Sequence, residues 1–247
     1  MVRSSSTLAV GWISDSLASA LAASFREFRA PADLTILYAA TCGLDRVHGL
    51  NRLAISGMVR RVIGGQWHPV PALHAMAKAG EIEAYSLPTG LINRLFRDMA
   101  EGLANHISRL AVGTAADPRR GGGRLNRRTR LDLVHLIQAA GEEALLVPAI
   151  PVDVGLVGVG FLADTGAIVM ARHAQTIAKA VHQNGGMVIA MPDRIGTQPA
   201  TRPGEVQVAD TLVDILVVAG PREEARDNPP QALGGRALAG LPPLGRA

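Results

Sequence analysis

Apolar residues in the first 220 positions of the chain occur in two patterns that alternate along the sequence. Short continuous runs, such as Leu34–Tyr38 and residues 187–191, have the length and composition of strands buried on both faces of a parallel sheet. Between these runs, apolar residues recur at helical spacing, as in residues 171–183. The alternation predicts an α/β protein with an open, mostly parallel sheet and helices on both faces.

The same pattern gives approximate bounds for each element. Strands are predicted at residues 8–11, 34–38, 60–63, 82–87, 109–113, 143–149, 152–159, 187–191 and 212–218, and helices at 50–58, 71–79, 91–99 and 171–183. A further helix starts at Ser14 or Asp15, either of which can cap it, and ends before Pro31. Its expected buried face consists of Leu17, Leu21, Phe25 and Phe28. Residues 131–137 fit either a helix or a strand.

The hydrophobic periodicity stops at Pro221. Residues 221–247 are rich in Pro, Gly, Ala and Arg, which predicts a disordered extension rather than a folded domain. Residues 1–220 are therefore expected to form one folded domain.

Composition narrows the class of protein without identifying it. Hydrophobic residues make up 48% of the sequence and aromatic residues only 3%, which suits parallel strands covered by helices and argues against a β-sandwich. The net charge of +4 indicates no particular partner. The single cysteine, Cys42, cannot form an internal disulfide bond and is expected to be inert. No segment resembles a signal peptide or reaches the roughly 20 apolar residues of a membrane helix, so we expect a cytoplasmic protein.

Three glycine-bearing turns, at residues 63–67, 87–90 and 117–123, each follow a predicted strand. Turns at the carboxyl ends of parallel strands gather at one edge of the sheet, where ligands bind, and glycine lets a ligand approach the backbone closely. These turns therefore predict a ligand-binding edge. The alternative for Gly64-Gly65-Gln66-Trp67 is that it only forms the tight turn between a strand and a loop.

Other polar residues near these turns have more than one interpretation. His68 and His74 invite a metal or acid–base role, but no third ligand is spaced for zinc, so surface or packing histidines are expected. Six arginines between Arg119 and Arg130 could hold the phosphates of a ligand or of a nucleic acid, or could form a solvated loop. The loop lacks interleaved aromatic residues, which argues against a single-strand groove, and no nucleic-acid partner is expected.

Several motifs occur in the same order and spacing as in one enzyme family. They are Gly49-Leu50-Asn51-Arg52-Leu53-Ala54, Arg61-Val62-Ile63-Gly64-Gly65-Gln66-Trp67, Ile82-Glu83-Ala84-Tyr85, Leu95-Phe96-Arg97-Asp98, Gly113-Thr114, Asp117-Pro118-Arg119 and Gly122-Gly123-Arg124-Leu125-Asn126. On these motifs, residues 8–218 resemble the α half of the family I CoA-transferases, the acyl-CoA:acetate/3-ketoacid CoA-transferases. The resemblance implies their open α/β layer fold, of the NagB-RpiA-like kind. It also implies coenzyme A or acyl-CoA as a substrate and no permanently bound cofactor.

The resemblance further implies which residues line the acyl-CoA site. They are Gly11, Gly43, Gly64, Gly65, Gln66, Thr89 and Gly90. Family members place a glutamine near the thioester oxygen in a Pro-Gln-Gly turn, which in this sequence is Pro88-Thr89-Gly90. Thr89 is therefore expected at the oxyanion position, where its shorter side chain predicts weak activity. No metal ligand is implied.

Family enzymes transfer CoA through a glutamate of the β half, which becomes a glutamyl-CoA thioester. None of the nine glutamates of this chain lies in that sequence context, so they are expected to be solvated helix or loop carboxylates. The resemblance therefore implies a CoA-transferase that acts with a separate β-half polypeptide, as a hetero- or homo-oligomer and without a membrane. The alternative is a truncated, non-catalytic relic that at most binds acyl-CoA.

Overall fold

The computed structural model describes residues 2–40, 48–197 and 201–218, which fold around a large parallel sheet. Its seven strands are β1 (Thr7–Val10), β2 (Leu34–Tyr38), β3 (Val59–Gly64), β4 (Glu83–Ser86), β8 (Val154–Val159), β11 (Met187–Pro192) and β14 (Ile215–Leu216). Their order is β14-β11-β8-β1-β2-β3-β4, and all neighbouring pairs run parallel. The predicted open, mostly parallel sheet is thus confirmed.

Helices cover both faces of this sheet. They are α1 (Asp15–Phe28), α2 (Pro71–Lys78), α3 (Thr89–Ala100) and α4 (Arg172–Gln183). Successive residues of a strand point to opposite faces, so Leu8 and Val10 join the apolar core that includes α1 and α2. Ala9, between them, joins the core that includes α3 and α4. The prediction of helices on both faces is confirmed by these two cores.

Two smaller sheets extend the fold. One is antiparallel, with the order β5 (Asn105–Ser108), β7 (Glu142–Pro148), β6 (His135–Ala139). The other has the order β12 (Ile195–Gly196), β9 (Phe161–Ala163), β10 (Ile168–Ala171), β13 (Glu205–Val208). The sequence did not predict the four strands of this second sheet, because strands of two to four residues are too short to show a periodicity.

Three predicted elements differ from the structure. Residues 109–113 form a turn, and the strand lies just before them in β5. Of the predicted helix at 50–58, only the 3-10 turn Gly49–Leu53 is helical, and the predicted strand at 212–218 shrinks to β14. Yet Leu50, Leu53 and Met58 are fully buried. The apolar pattern predicted the burial of these residues correctly, but a buried residue need not belong to a helix or a strand.

The ambiguous segment at residues 131–137 proves to be neither a helix nor a strand over most of its length. Strand β6 begins only at His135, and Leu131 is half exposed. Its short apolar run was too weak a signal to distinguish the alternatives.

Helix α1 begins where the sequence predicted. Ser14 is its N-cap, and its Oγ accepts a hydrogen bond from the N–H of Leu17 at 3.1 Å. The buried face, however, is formed by Ala18, Ala22 and Phe25. Phe28 is 67% exposed, which corrects the predicted face. Leu17 and Leu21 are partly buried and pack against the same core, so the buried stripe is centred on the two alanines and Phe25, and Phe28 lies outside it.

Some predictions concern residues outside the described ranges. Gly43, Cys42 and the tail at 221–247 are among them, so the predictions made for them stay predictions. None of the helices within the described ranges combines the length and the apolarity needed to cross a membrane.

Candidate functional site

The carboxyl ends of β2, β3 and β4 meet at one edge of the sheet. The N–H of Gly65 donates to the carbonyl oxygen of Tyr38 at 3.0 Å, and the N–H of Leu87 donates to that of Gly64 at 3.1 Å. These bonds join the turn at 63–67 to the end of β2 and to the turn at 87–90. Two of the three predicted glycine turns are therefore joined directly, and Gly123 of the third turn accepts from the N–H of Ser86, next to Leu87.

Packing within the chain already requires glycine at positions 64 and 65. A Cβ on Gly64 would lie 2.5 Å from the hydroxyl of Tyr38, and a Cβ on Gly65 would overlap the carbonyl oxygen of Ala39. The Tyr38 hydroxyl also donates to the carbonyl oxygen of Gln66 at 2.6 Å, which fixes the same turn from its other side. These two glycines are thus explained by the fold itself, so they do not by themselves indicate a ligand.

Thr89 and Gly90 begin α3 at this edge. The Thr89 hydroxyl donates to the carbonyl oxygen of Ala39 at 3.2 Å. The N–H groups of Leu91 and Ile92 bond to the carbonyl oxygen of Pro88, so those of Thr89 and Gly90 precede the first hydrogen bonds of the helix. Gly90 is exposed, and no atom lies within 4 Å of where its Cβ would be. Among the predicted site glycines that lie in the described ranges, Gly90 leaves the most room for a ligand.

Gly11 lies at the same edge but farther along the sheet, at the end of β1. Its N–H donates to the carbonyl oxygen of Leu156 at 2.9 Å, and a Cβ here would lie 2.9 Å from Cδ1 of Ile177 in α4. The next residue, Trp12, covers Gly158 of β8. The structure therefore places Gly11 under α4, apart from the contacts that join the ends of β2, β3 and β4.

A charged cluster that sequence analysis missed lies beyond the ends of β8 and β11. Arg194 Nε donates to the carbonyl oxygen of Gly160 at 3.0 Å, and its guanidinium group lies over the ring of Phe161, 5.4 Å from the ring centre. Arg194 Nη2 is 3.9 Å from Oε2 of Glu205, whose side chain is 13% exposed. The cluster joins the central sheet to the small sheet that contains β9 and β13.

Two accessible titratable side chains lie near this cluster. Burial raises the pKa of the Asp193 carboxyl, against the opposing effect of Arg194 and Arg202. Burial lowers the pKa of His173, at the start of α4. Both side chains are nevertheless exposed to solvent. The only sequence signal was a charged pair directly after the predicted strand at 187–191.

The motif around Asn51 has a structural role. Its side-chain amide, 6% exposed, donates to the carbonyl oxygen of Pro69 at 3.1 Å and accepts from the N–H of Ala72 at 3.0 Å. Next to it, Arg52 binds both carboxylate oxygens of Asp15 at 2.6 Å. Burial opposes ionisation of Asp15, but the bonds from Arg52 and from a backbone N–H prevail and lower its pKa. This motif ties the starts of α1 and α2 together.

The arginine-rich loop at 117–130 packs against the exposed edge of β4. The N–H of Ser86 donates to Gly123, and the N–H of Leu125 donates to Ala84. The loop thus runs antiparallel to β4, from the carboxyl edge of the sheet to its amino edge. There the amide of Asn126 donates to the carbonyl oxygens of Ala77 and Ile82, at 2.7 and 2.9 Å.

The arginines of this loop are spread along it rather than gathered at one place. Arg119 is paired with Asp117 and Glu143, and Arg124 is paired with Asp132. Arg128 lines a hollow of about 350 Å³ at the amino edge, together with other residues that include Asp33, Arg60 and Glu81. This distribution favours the interpretation as a solvated loop over a single phosphate-binding cluster.

The two histidines near Trp67 do not form a metal site in the described ranges, where no three potential metal ligands gather. The indole N–H of Trp67 donates to the carbonyl oxygen of Tyr85 at 3.2 Å, and the ring of His74 packs 5.7 Å from the indole. Burial, with a contribution from Lys78, lowers the pKa of His74. His68 is exposed. His74 thus packs against Trp67, and His68 lies at the surface.

Several glutamates lie on strands or form ion pairs that the sequence did not predict. Glu83 accepts a hydrogen bond from Arg61 at 2.5 Å, and Glu143 is bound by Arg119. Both lie on strands, as do Glu142 and Glu205, which corrects the expectation of solvated helix or loop carboxylates. The sequence could not show these ion pairs because their arginines lie 22 or more residues away.

A parallel sheet whose glycine turns and charged residues share the carboxyl edge is the arrangement of a ligand-binding α/β protein. Comparison with known proteins narrows the class further, because the chain is similar to CoA-transferases. It is 31% identical over 207 residues to the acetate CoA-transferase YdiF of Escherichia coli K12. It is 29% identical over 214 residues to the caffeate CoA-transferase of Acetobacterium woodii.

These matches cover 82% and 85% of this chain but only 39% and 41% of the two relatives. The chain therefore spans well under half the length of the curated relatives it matches. No protein-family model matches the chain.

Solved structures agree with the sequence comparison. The chain matches the YdiF acyl-CoA transferase of E. coli O157:H7, in a thioester complex with CoA, with a TM-score of 0.78 and 29% identity. This match covers 89% of the chain and 45% of that structure. Glutaconate CoA-transferase of Acidaminococcus fermentans shares the fold, with a TM-score of 0.61 and 17% identity over 90% of this chain and 73% of that one. The resemblance recognised in the motifs is thus confirmed.

Proposed function

We propose that this chain is the α-type half of a CoA-transferase that moves CoA between a short-chain acyl-CoA and acetate or a ketoacid. The observation that carries the proposal is the match to an acetate CoA-transferase over 82% of this chain and 39% of that protein. On this proposal, a separate β-half polypeptide supplies the rest of the enzyme. The two form a hetero- or homo-oligomer.

The covalent step is assigned to the partner. A glutamate of the β half attacks the thioester carbonyl of acyl-CoA and releases CoA as a thiolate. The thiolate then attacks the glutamyl carbonyl and releases the acyl group as a carboxylate, which leaves CoA on the glutamate. A second carboxylate takes CoA by the reverse steps. The ion pairs of Glu83 and Glu143 in this chain support assigning the nucleophile to the partner, because neither carboxylate is free.

This chain contributes the surface along the ends of β1 to β4. We propose that acyl-CoA passes over Gln66 and Gly90, with Gly11 farther along the same edge. The assignment of Gly43 to this surface stays a prediction. The space around Gly90 supports this path. The first N–H groups of α3 carry a partial positive charge that suits the thioester oxygen as it becomes negative. No permanently bound cofactor takes part in these steps.

The alternative is a relic that binds acyl-CoA weakly and catalyses nothing. Thr89 in place of the family glutamine favours it, because the threonine side chain is shorter and its hydroxyl is already bonded to Ala39. A cytoplasmic location remains a prediction under either alternative.

Reconstitution distinguishes the two alternatives. The chain is mixed with the glutamate-bearing half of a CoA-transferase, and the exchange of CoA between propionyl-CoA and isotopically labelled acetate is followed by mass spectrometry. Transfer above that of the partner half alone supports the enzyme. Binding of acyl-CoA without transfer supports the relic, and absence of both overturns the proposal.

The site of the covalent adduct gives a second test. Hydroxylamine is added during turnover, and each polypeptide is digested to locate the glutamate that has been converted. We expect the conversion on the partner only. Conversion of Glu205 or of any other glutamate of this chain contradicts the assignment of the nucleophile to the partner.

A further inference from the structure

The Thr89 hydroxyl is placed where it joins three segments at the candidate edge. It has one proton, which it donates to the carbonyl oxygen of Ala39 at the end of β2, 50 residues earlier in the chain. Thr89 itself begins α3, so this bond connects the helix to a neighbouring strand end. Ala39 is 7% exposed and Thr89 is half-buried, so water competes little for the bond.

The third segment is the turn at 63–67, which lies between these two. The Thr89 hydroxyl oxygen is 2.8 Å from where a Cβ of Gly65 would lie, and the Ala39 carbonyl is closer still. Gly65 is therefore enclosed between the two bonded groups. Its own N–H is bonded to Tyr38, so a shift of Thr89 or of Ala39 changes the position of this turn as well.

We infer that Thr89 is a positioning residue: its hydroxyl holds the end of β2 against the start of α3 and so fixes the shape of the acyl-CoA edge, instead of donating to the acyl oxygen. This inference rests on the proposed function for the identity of the edge. The geometry of the bond stands independently of that function. A hydroxyl that donates its proton to Ala39 has none left for a substrate oxygen, so a direct oxyanion role would require this bond to break.

Three variants separate the two roles. Thr89→Ser keeps the hydroxyl, Thr89→Val keeps the shape without it, and Thr89→Gln restores the family side chain. Thr176→Val is the matched control, because the Thr176 hydroxyl also donates to a backbone carbonyl, that of Arg172 at 3.0 Å within α4. Thr89→Ala serves as a second hydroxyl-free variant, and circular dichroism verifies the fold of each protein.

Hydrogen exchange tests the positioning role without requiring activity. Loss of one hydrogen bond predicts about tenfold faster exchange of the Gly65 amide in Thr89→Val and Thr89→Ala. Thr89→Ser and Thr176→Val should match the wild type. Wild-type exchange in both hydroxyl-free variants, or fast exchange in Thr89→Ser, overturns the inference whether or not transfer is ever detected.

Kinetics with a partner half supplies the second readout. A positioning role predicts that Thr89→Val raises KM for acyl-CoA, that kcat changes less than threefold, and that Thr89→Ser restores KM. An oxyanion donor predicts a loss of kcat on the order of 100-fold with KM unchanged, and such a loss overturns the inference. If every protein lacks transfer, the proposed function fails and the exchange result alone decides the positioning role.

Discussion

The guanidinium group of Arg119 binds both carboxylate oxygens of Asp117, with Nε 3.0 Å from Oδ1 and Nη2 2.8 Å from Oδ2. Asp117 is completely buried and also accepts from the N–H of Gly113 at 2.9 Å. The arginine-rich loop is therefore organised around one internal carboxylate. Its first arginine is a part of the fold rather than a free ligand-binding group.

Because of this ion pair, the stability of the protein should decrease as the pH falls into the acidic range. The hydrogen bonds from Arg119 and then from Gly113 hold the pKa of Asp117 far below the value of about 3.9 of an unfolded chain. A depressed pKa contributes stability above the unfolded value, and this contribution is lost as pH falls below it. We expect Asp117→Asn to lower Tm at pH 7 and the difference from wild type to narrow below about pH 4.

Thermal unfolding at pH 7, 5 and 3.5 measures this dependence. Asp132→Asn is the control, because Asp132 pairs with Arg124 on the surface and such pairs contribute little. A Tm difference for Asp117→Asn that grows towards low pH would contradict the sign of the prediction.

Gly65 and Gly90 at the candidate edge should differ in how well they tolerate alanine. Gly65→Ala should destabilise the protein by about 3 kcal/mol, because the new Cβ overlaps backbone that cannot move away. Gly90→Ala has open space in the first turn of α3 and should change stability by less than about 1 kcal/mol. Urea denaturation measures both values.

The affinity of the Gly90→Ala variant for acyl-CoA then tests whether the ligand lies over this residue. If acyl-CoA passes over Gly90, its affinity should fall although the fold is intact. Unchanged affinity would place the ligand elsewhere along the edge.

Asn126 should behave as a structural residue despite its position in a family motif. Asn126→Ala removes the side-chain donor to Ile82 and one of the donors to Ala77, whose carbonyl also accepts from the N–H of Gly80, at an expected cost of about 2 kcal/mol. Asn126→Asp should cost more, because a carboxylate places a negative charge against these two carbonyl oxygens. The exposed Asn93 of α3 is the control, and Asn93→Ala should be nearly neutral. A neutral Asn126→Ala in urea denaturation would refute this role.

The arginine-rich loop should not make the protein a nucleic-acid-binding protein. With Arg119 and Arg124 paired internally, binding to a fluorescent DNA duplex should disappear at about 300 mM salt, because nonspecific phosphate contacts weaken steeply with salt. Binding that persists at this salt concentration, and that is lost in the Arg127→Gln/Arg128→Gln double variant, would contradict this prediction and support a nucleic-acid partner.

The motifs that revealed the resemblance identify the fold better than they identify the site. Asn51, Asp117 and Asn126 each bond to several backbone groups, and none lies among the contacts that join the ends of β2 to β4. A family can share such residues because the fold needs them. Packing within the fold also explains the predicted site residues Gly64 and Gly65, whereas it does not explain Gly90.

The charged cluster shows a different limit of sequence reasoning. Asp193 and Arg194 follow a predicted strand, but their neighbour Glu205 belongs to a strand of four residues with no recognisable pattern. Their proximity depends on the pairing of β10 with β13, which no local signal specifies.

The sequence by itself determined the alternation of strands and helices, the two-sided burial of the sheet and the relationship to CoA-transferases, because hydrophobic periodicity and motif order are properties of the chain read in order. Only the tertiary structure decided that the Thr89 hydroxyl meets the Ala39 carbonyl and that Gly65 is enclosed between them. These contacts join residues 24 to 50 positions apart. Their geometry depends on how β2, β3 and β4 align in the sheet. No single segment of the sequence contains that information.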